Sequence, residues 1–482
     1  MAIVKTAQFT QAAARALRDE KLRRHLDRVL AAINQARDEA IERLPEGEWD
    51  QMRERARSIR AEAIEHLDYY LDLADRSVRR NGGHVHFAQT AADANRVVLD
   101  IARQHNVRQV VKAQSSTIDE LGLTAFLAQQ GIAAVETDLG EYIVKLAGEP
   151  PFHPITPALH KSREEVSSLF TEHLNSARTT NPAELSAIAR HTLREGFTAV
   201  DMGITGANFV VAETGTVVLV SNESSSGMST TLPRVHVAIA GIDKVLPAME
   251  DVTHMLRVLA RSATGQGTMS YTTLVSGPRA SSEEDGPDEV HLILVDNGRT
   301  KLLGDSGLRE ALYCIHCGAC SDVCPVYQKV GGHAYGWVYS GPIGAVVTPV
   351  LTGLKAGKDL PFASTLCGAC RDACPVKIDI PALLVRLRQK TVNGEPRTER
   401  STGWFERLAA RRWVDRVASQ PGKPRASVFS RLLQKAFVTG QDSTRLPGPV
   451  MFGWEHGPFP RPASKSFHDL WKERSAGEES RL

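Results

Sequence analysis

All seven cysteines of this chain lie in two short runs, and nothing else in the sequence constrains the fold as tightly. The first run reads Cys314-Ile-His-Cys317-Gly-Ala-Cys320-Ser-Asp-Val-Cys324-Pro325, and the second Cys367-Gly-Ala-Cys370-Arg-Asp-Ala-Cys374-Pro375. The second repeats the first from Cys317 onward, after a spacer of 42 residues. C-x2-C-x2-C-x3-C-P spacing suits an iron–sulfur cubane. A tight loop offers three thiolates to one cluster, and the fourth cysteine, ahead of a proline, points to a second. Zinc fits less well, because its paired C-x2-C units close on four ligands. Disulfides fit worse still. The count is odd and the spacing metal-like, which points to a reducing compartment.

By analogy with two-cluster ferredoxins, one [4Fe–4S] cluster takes Cys314, Cys317, Cys320 and the distant Cys374. The second takes Cys324, Cys367 and Cys370 and is one thiolate short. In register, the missing cysteine falls at Ser364. Three outcomes are open: a [4Fe–4S] cluster with an open or non-cysteine iron site, which is the expectation, a serinate ligand, or a three-iron cluster. The spacer is too long for a compact bacterial ferredoxin and has room for helices. Its His333, Tyr335 and Tyr339 are expected to pack against the clusters or line an electron exit. Helix resumes at 381–388, with Pro381 at its start.

Upstream, residues 1–80 read as helix, broken at Leu44-Pro-Glu-Gly-Glu-Trp49. From Gly82 short apolar runs alternate with helices: strands at 83–88, 108–113 and 133–138, helices at 92–105 and 117–131. Thr117 and Glu120 have the spacing of a capping box. Such repetition implies a parallel sheet with helices on its faces, and ligands gather beyond its C-terminal strand ends. Lys112, Gln114, Ser115, Ser116, Glu136 and Asp138 then fall at a pocket rim, or serve as ordinary loop and cap residues. Helices follow at 163–174 and 182–196. The stretch 199–223 holds Gly203, Gly206 and Gly215, which suit either an anion pocket or hairpin turns. Further strands are expected at 233–242 and 290–299, with His236 and His291 as satisfied sheet residues. No Ser/His/Asp triad, P-loop or G-x-G-x-x-G stretch is present.

With 42% hydrophobic and 24% charged residues, the 482-residue chain reads as globular protein of several domains. No apolar run is long enough to span a bilayer and the start has no signal core, so a cytoplasmic protein is expected. From Val385 onward, 19 Lys/Arg face 10 Asp/Glu. This basic end suits an acidic partner, an anionic membrane or a solvated helical surface. No basic-aromatic module accompanies it, which argues against nucleic acid. Two amphipathic stretches, 404–417 and 428–438, make the end mostly helical.

Three stretches together resemble the lactate utilization protein B family. They are Met202-Gly-Ile-Thr-Gly-Ala-Asn-Phe-Val-Val-Ala-Glu-Thr-Gly-Thr216, Gly331-Gly-His-Ala-Tyr-Gly-Trp-Val-Tyr-Ser-Gly-Pro-Ile-Gly-Ala345, and the cysteine pattern with its three-cysteine second run. The likeness spans nearly the whole chain, including the region of Trp454. It implies an α/β LUD domain, with an isomerase- or CoA-transferase-like parallel sheet, at 81–300 behind an N-terminal helical region at 1–80. A helical two-cluster ferredoxin domain at 301–392 and a family-specific C-terminal domain at 393–482 follow. It also implies partners, lactate utilization proteins A and C, which together with this chain convert L-lactate to pyruvate, and carries the cluster assignments over to the seven cysteines. The expected role is the iron–sulfur electron-transfer subunit of that complex. Rival readings are an enzyme acting on an acyl or phosphorylated substrate at the LUD pocket, with Glu213 as first candidate, and an electron carrier for another dehydrogenase. The electron acceptor is not legible.

Overall fold

The structure, a computed structural model, describes residues 5–198, 200–223 and 225–393. The stretches 404–417 and 428–438, and most of the basic end, lie outside them. Ten strands are formed among the described residues. They are β1 (His84–Ala88), β2 (Gln109–Lys112), β3 (Ala133–Glu136), β4 (Met202–Gly206), β5 (Phe209–Val211), β6 (Thr216–Ser221), β7 (Val235–Gly241), β8 (Val245–Leu246), β9 (Tyr271–Val275) and β10 (Glu289–Val295). Six make one all-parallel sheet in the order β1-β10-β7-β4-β2-β3.

Its central strands are apolar along their length because both faces are covered. Alternate residues go to opposite sides. Val235, Val237, Ile239 and Ile293 pack beneath helices Ala91–Gln104, Ser116–Leu121 and Leu123–Gln129. Ala238, Ala240, Leu292 and Leu294 face a second core. That core continues without a break through the N-terminal helices, the other sheet and the cysteine-bearing region.

The second sheet, β8-β5-β6-β9, was not foreseen as a separate layer. Its β5–β6 hairpin turns at Gly215, where φ is +71° and a Cβ would come within 2.5 Å of the Val78 amide nitrogen. Of the two readings of the 199–223 glycines, the hairpin describes Gly215. Gly206 answers to close approach instead, since a Cβ there would sit 1.9 Å from Ser115 Oγ.

The expected helix 117–131 is two short helices broken at Gly122, whose φ is +65°. Its cap is Ser115, which accepts from the Ile118 amide, so Thr117 and Glu120 form no capping box. Glu120 is buried and serves elsewhere.

The N-terminal helices Glu20–Glu42 and Glu48–Glu65 hold the two halves of the chain together. Arg60, fully buried, donates to the carbonyls of Val245 (2.9 Å) and Leu312 (2.9 Å). Arg53 donates to the Cys374 carbonyl (3.0 Å) and Arg57 to that of Lys377 (2.5 Å). No described helix is long and apolar enough to cross a membrane.

Candidate functional site

The two cysteine runs adopt one backbone twice. His316 and Leu366, each just ahead of the paired cysteine, both have φ of +57°. Such a conformation costs a non-glycine residue about 1–3 kcal/mol and persists only where the surroundings impose it. Gly318 (φ +80°) and Gly368 (φ +92°) follow, then the helical turns Ala319–Asp322 and Ala369–Asp372. Ser364 stands where Cys314 stands in the first run. The His316 amide donates to Cys314 Sγ at 3.4 Å, and the Leu366 amide donates to Ser364 Oγ at 3.1 Å.

Cys314, Cys317, Cys320 and Cys374 line one cavity, closed by Ile315, Ile343, Val347, Val376 and Ile378. Burial pushes each of these thiols up, Cys374 to about 11, and the neighbouring thiols push Cys317 and Cys320 further. A dry pocket of four thiols is costly to ionise without a cation, so the donor set fits a thiolate-bound metal cluster. Cys324, Cys367 and Cys370 form the second group. Burial, reinforced by Cys324, lifts Cys370 to about 12. Cys367 alone is exposed, and the Ala369 amide and Thr365 hold its thiol below the usual value.

Beside the four-thiol cavity lies a web of buried charge. Lys244 Nζ donates to the Cys314 carbonyl (3.1 Å) and pairs with Asp243 (3.3 Å). Arg299 reaches Asp243 (2.7 Å) and grips both oxygens of Glu120 (3.0 and 2.9 Å). Tyr339 donates to Glu120 as well (2.5 Å). Burial alone would raise the Asp243 carboxyl, but Lys244 and Arg299 hold it far below the ordinary range. Burial, with Lys244 nearby, keeps His316 neutral.

A cleft of about 250 Å³ opens at the C-terminal ends of β2, β4 and β7. Ser115, Ser116, Asn208, Ser226 and Lys244 line it, and Ile315 and His316 of the first cysteine loop form part of its wall. The same two residues also line the four-thiol cavity. Glu223 lines the cleft with its residue surface still exposed; partial desolvation of its carboxyl, with Asp138 beside it, pushes it up to about 7.

Gln114, Ser115, Ser116 and Asp138 therefore do reach the cleft, while Lys112 and Glu136 do not. Lys112 is buried beneath it, against Glu141 (2.8 Å), Glu136 (3.0 Å) and Asp119 (3.3 Å). Glu213 does not line the cleft either. Its carboxylate accepts from the Met249 amide (3.0 Å) at the start of helix Met249–Thr264. Tyr339 lines the four-thiol cavity and Tyr335 is buried against Tyr327 and Phe9. His333 packs on Phe152 and His160 and bonds the Pro150 carbonyl (2.8 Å). His236 and His291, expected as satisfied sheet residues, are only half satisfied: His236 Nε2 bonds Thr205 (2.8 Å) and His291 Nδ1 lies against His86 (3.1 Å), but His236 Nδ1 and His291 Nε2 are buried without a hydrogen-bond partner. Lys244, Asp243 and Arg299 were not singled out. Lys244 follows the end of β7 by three residues, so the strand-end rule was the signal that could have found it.

A parallel α/β sheet joined to a region of paired cysteine loops defines the class: a LUD domain combined with a 4Fe–4S dicluster module. Residues 71–295 match the family described as the LUD domain, and residues 310–378 match the 4Fe-4S dicluster domain. Among curated proteins, the chain is 39% identical to lactate utilization protein B of Oceanobacillus iheyensis, over 90% of this chain and 89% of that one. It is 39% identical to that of Bacillus licheniformis (97% of each chain), and 38% identical to that of Bacillus subtilis (99% and 98%). The chain belongs to the lactate utilization protein B family. A crystal structure of a DUF162 family protein from Deinococcus radiodurans aligns with 48% of this chain and 98% of its own, at 15% identity and a TM-score of 0.28, too loose a likeness to carry an argument.

Proposed function

We propose that this iron–sulfur protein of lactate utilization is the electron-transfer subunit of a complex that oxidises L-lactate to pyruvate, with lactate utilization proteins A and C as partners. Cys314, Cys317, Cys320 and Cys374 would hold one [4Fe–4S] cluster. Cys324, Cys367 and Cys370 would hold a second, with an open or non-cysteine iron site. When bound, such clusters pass electrons one at a time. Lactate gives up two electrons and two protons, so each turnover needs two single transfers.

The observation that carries this reading is the spacing of the groups. The buried thiol set shares Ile315 and His316 with the cleft, and the other set reaches the surface at Cys367. Electrons entering near the cleft would thus have an outlet towards a partner. The protein's own contribution is dielectric. Apolar side chains exclude water from the four-thiol cavity, and Lys244 and Arg60 offset the charge of a thiolate at Cys314. Backbone amides of Val326, Tyr327, Val376 and Ile378 donate to sulfur, one of the means by which a cluster potential is set.

The test is anaerobic iron and sulfide analysis with EPR on the wild type and Cys374→Ser, alongside lactate turnover with and without the partner proteins. About eight irons per chain, falling to about four in the variant, and turnover only in the reconstituted mixture are expected. Zinc in place of iron, or turnover by the isolated chain, would sink the proposal.

The shared wall also favours a second reading, in which the substrate itself binds in the cleft of this chain. Gly206→Val, which would crowd Ser115, would then abolish turnover with the iron content unchanged. Full turnover by that variant would exclude it.

A further inference from the structure

The N-terminal end of the parallel sheet, opposite the cleft, carries a set of side chains with no part in the chemistry above. His105 follows helix Ala91–Gln104, and Glu289 and His291 open β10. Their ligand atoms, one from each residue, all lie within 4.8 Å of one another. His105 Nε2 is 3.2 Å from Glu289 Oε2, and His291 Nε2 is 3.4 Å from the same oxygen. Neither contact has hydrogen-bond geometry, and both nitrogens are buried without a hydrogen-bond partner. His291 is only 6% exposed. A buried imidazole nitrogen with nothing to bond is costly. Here two of them sit close to one carboxylate oxygen without being aligned to it, as ligands do when they share a third point.

The distances agree with that. Two ligands bound to zinc at about 2.0–2.1 Å in tetrahedral array are roughly 3.3 Å apart. The second layer agrees too. His291 Nδ1 lies 3.1 Å from His86 Nε2. If Nδ1–H donates there, Nε2 is left with its lone pair, which is how a partner group fixes the tautomer of a metal-binding histidine. His84 also stacks on His291, at 4.9 Å between ring centroids. By contrast, Glu149, His160 and His333 also converge but are already engaged. Lys161 takes one Glu149 oxygen (2.5 Å), His160 takes the other (2.6 Å), and His333 Nε2 is bonded to Pro150.

We propose that His105, Glu289 and His291 bind a divalent transition-metal ion of the zinc class, held at a site separate from the iron–sulfur centres. Two imidazoles and a carboxylate leave a fourth position, and Glu289 and His105 are partly exposed, so water can fill it. The ion would clasp the end of helix 91–104 to β10, and through His86 to the edge strand β1.

The test uses the full-length, cluster-loaded protein under anaerobic conditions, with iron measured on every sample so that zinc held by vacant cysteines is not miscounted. Equilibrium dialysis against zinc is expected to give one ion per chain, lost in His291→Ala and in Glu289→Gln, with iron unchanged. Cobalt in its place should show the intense visible absorption of a four-coordinate site. His86→Ala should weaken binding by about 10–100-fold without removing a ligand. Should His291→Ala fail to fold, Glu289→Gln, at a partly exposed position, decides the matter alone. No zinc beyond that of a Cys-only background, or uptake indifferent to Glu289→Gln, overturns the proposal.

Discussion

Replacing Lys112 with Met would leave three carboxylates facing one another in the interior. The ammonium, 2% exposed, touches Glu141, Glu136 and Asp119 at 2.8, 3.0 and 3.3 Å. Burial alone would lower its proton affinity, and these carboxylates more than reverse that. At an effective dielectric of about 20, each contact carries roughly 5 kcal/mol of gross attraction. Most of this is cancelled by desolvation and by repulsion among the acids, and removing one partner of such a buried set costs about 3–5 kcal/mol. The unit reaching to Thr391 has an unfolding entropy of about 0.8 kcal/mol/K, so a loss of about 4 kcal/mol lowers Tm by about 5 °C. The deficit depends on pH. Burial already raises Glu141 and Asp119 in the folded chain, and loss of Lys112 raises them further. At pH 6 the folded variant then holds protons that the unfolded chain, with carboxyl pKa near 4, has released, so its stability falls as pH rises. Thermal scans of wild type and variant at pH 6 and 8.5 should show the larger gap at 8.5. An unchanged Tm, or a gap that widens towards acid, would refute the reasoning.

Other outcomes follow from single residues. Ser364→Cys supplies a fourth thiol to the second group, and the EPR signal of any three-iron species formed in air should vanish, with iron rising towards eight per chain. Gly203→Ala puts a Cβ 1.9 Å from the Ser229 carbonyl oxygen and should cost about 1–3 kcal/mol in denaturant unfolding. Glu223, held near 7, contributes stability that is full below its unfolded value near 4.3 and lost as pH rises through 7; a carboxyl resonance titrating near 4 by NMR would contradict this. Glu120→Ala takes away one of the two carboxylates that hold buried Arg299, leaving Asp243 alone, and removes the acceptor of Tyr339; it should lower the denaturant midpoint clearly, while cutting an exposed pair such as Lys21–Glu165 should leave the midpoint nearly unchanged.

What could be read from the residues was local. The strands β1, β2, β3, β7 and β10 declared themselves as short apolar runs between turns, and helix Arg163–Leu174 has the bounds its pattern suggested. The shared backbone of the two cysteine loops follows from their common spacing. Contacts that join distant segments left no such trace. Glu120 and Arg299 are 179 positions apart, and the first had a plausible local role as the acid of a capping box. Glu213 is exposed beside Gly215, as it looked, but its carboxylate bonds a helix start and stays out of the cleft. Lys112 lay at a strand end where ligands collect, but its side chain turned inward to three acids whose convergence only the assembled sheet produces.

The reach of Arg60 bears on how the molecule is made. Its helix leaves the ribosome early, but Leu312 and Tyr313, whose carbonyls it bonds, are synthesised some 250 residues later. At about 5–20 residues per second that is a wait of roughly 13–50 s, with a guanidinium meant for the interior still in water. The last cysteines appear later again, so the metal cannot be captured by a finished pocket before nearly the whole described chain exists. A fragment starting just ahead of Cys314 would lack Arg53, Arg57 and Arg60 and expose the carbonyls they cover. Biogenesis of the cofactor site is thereby tied to an intact amino-terminal half.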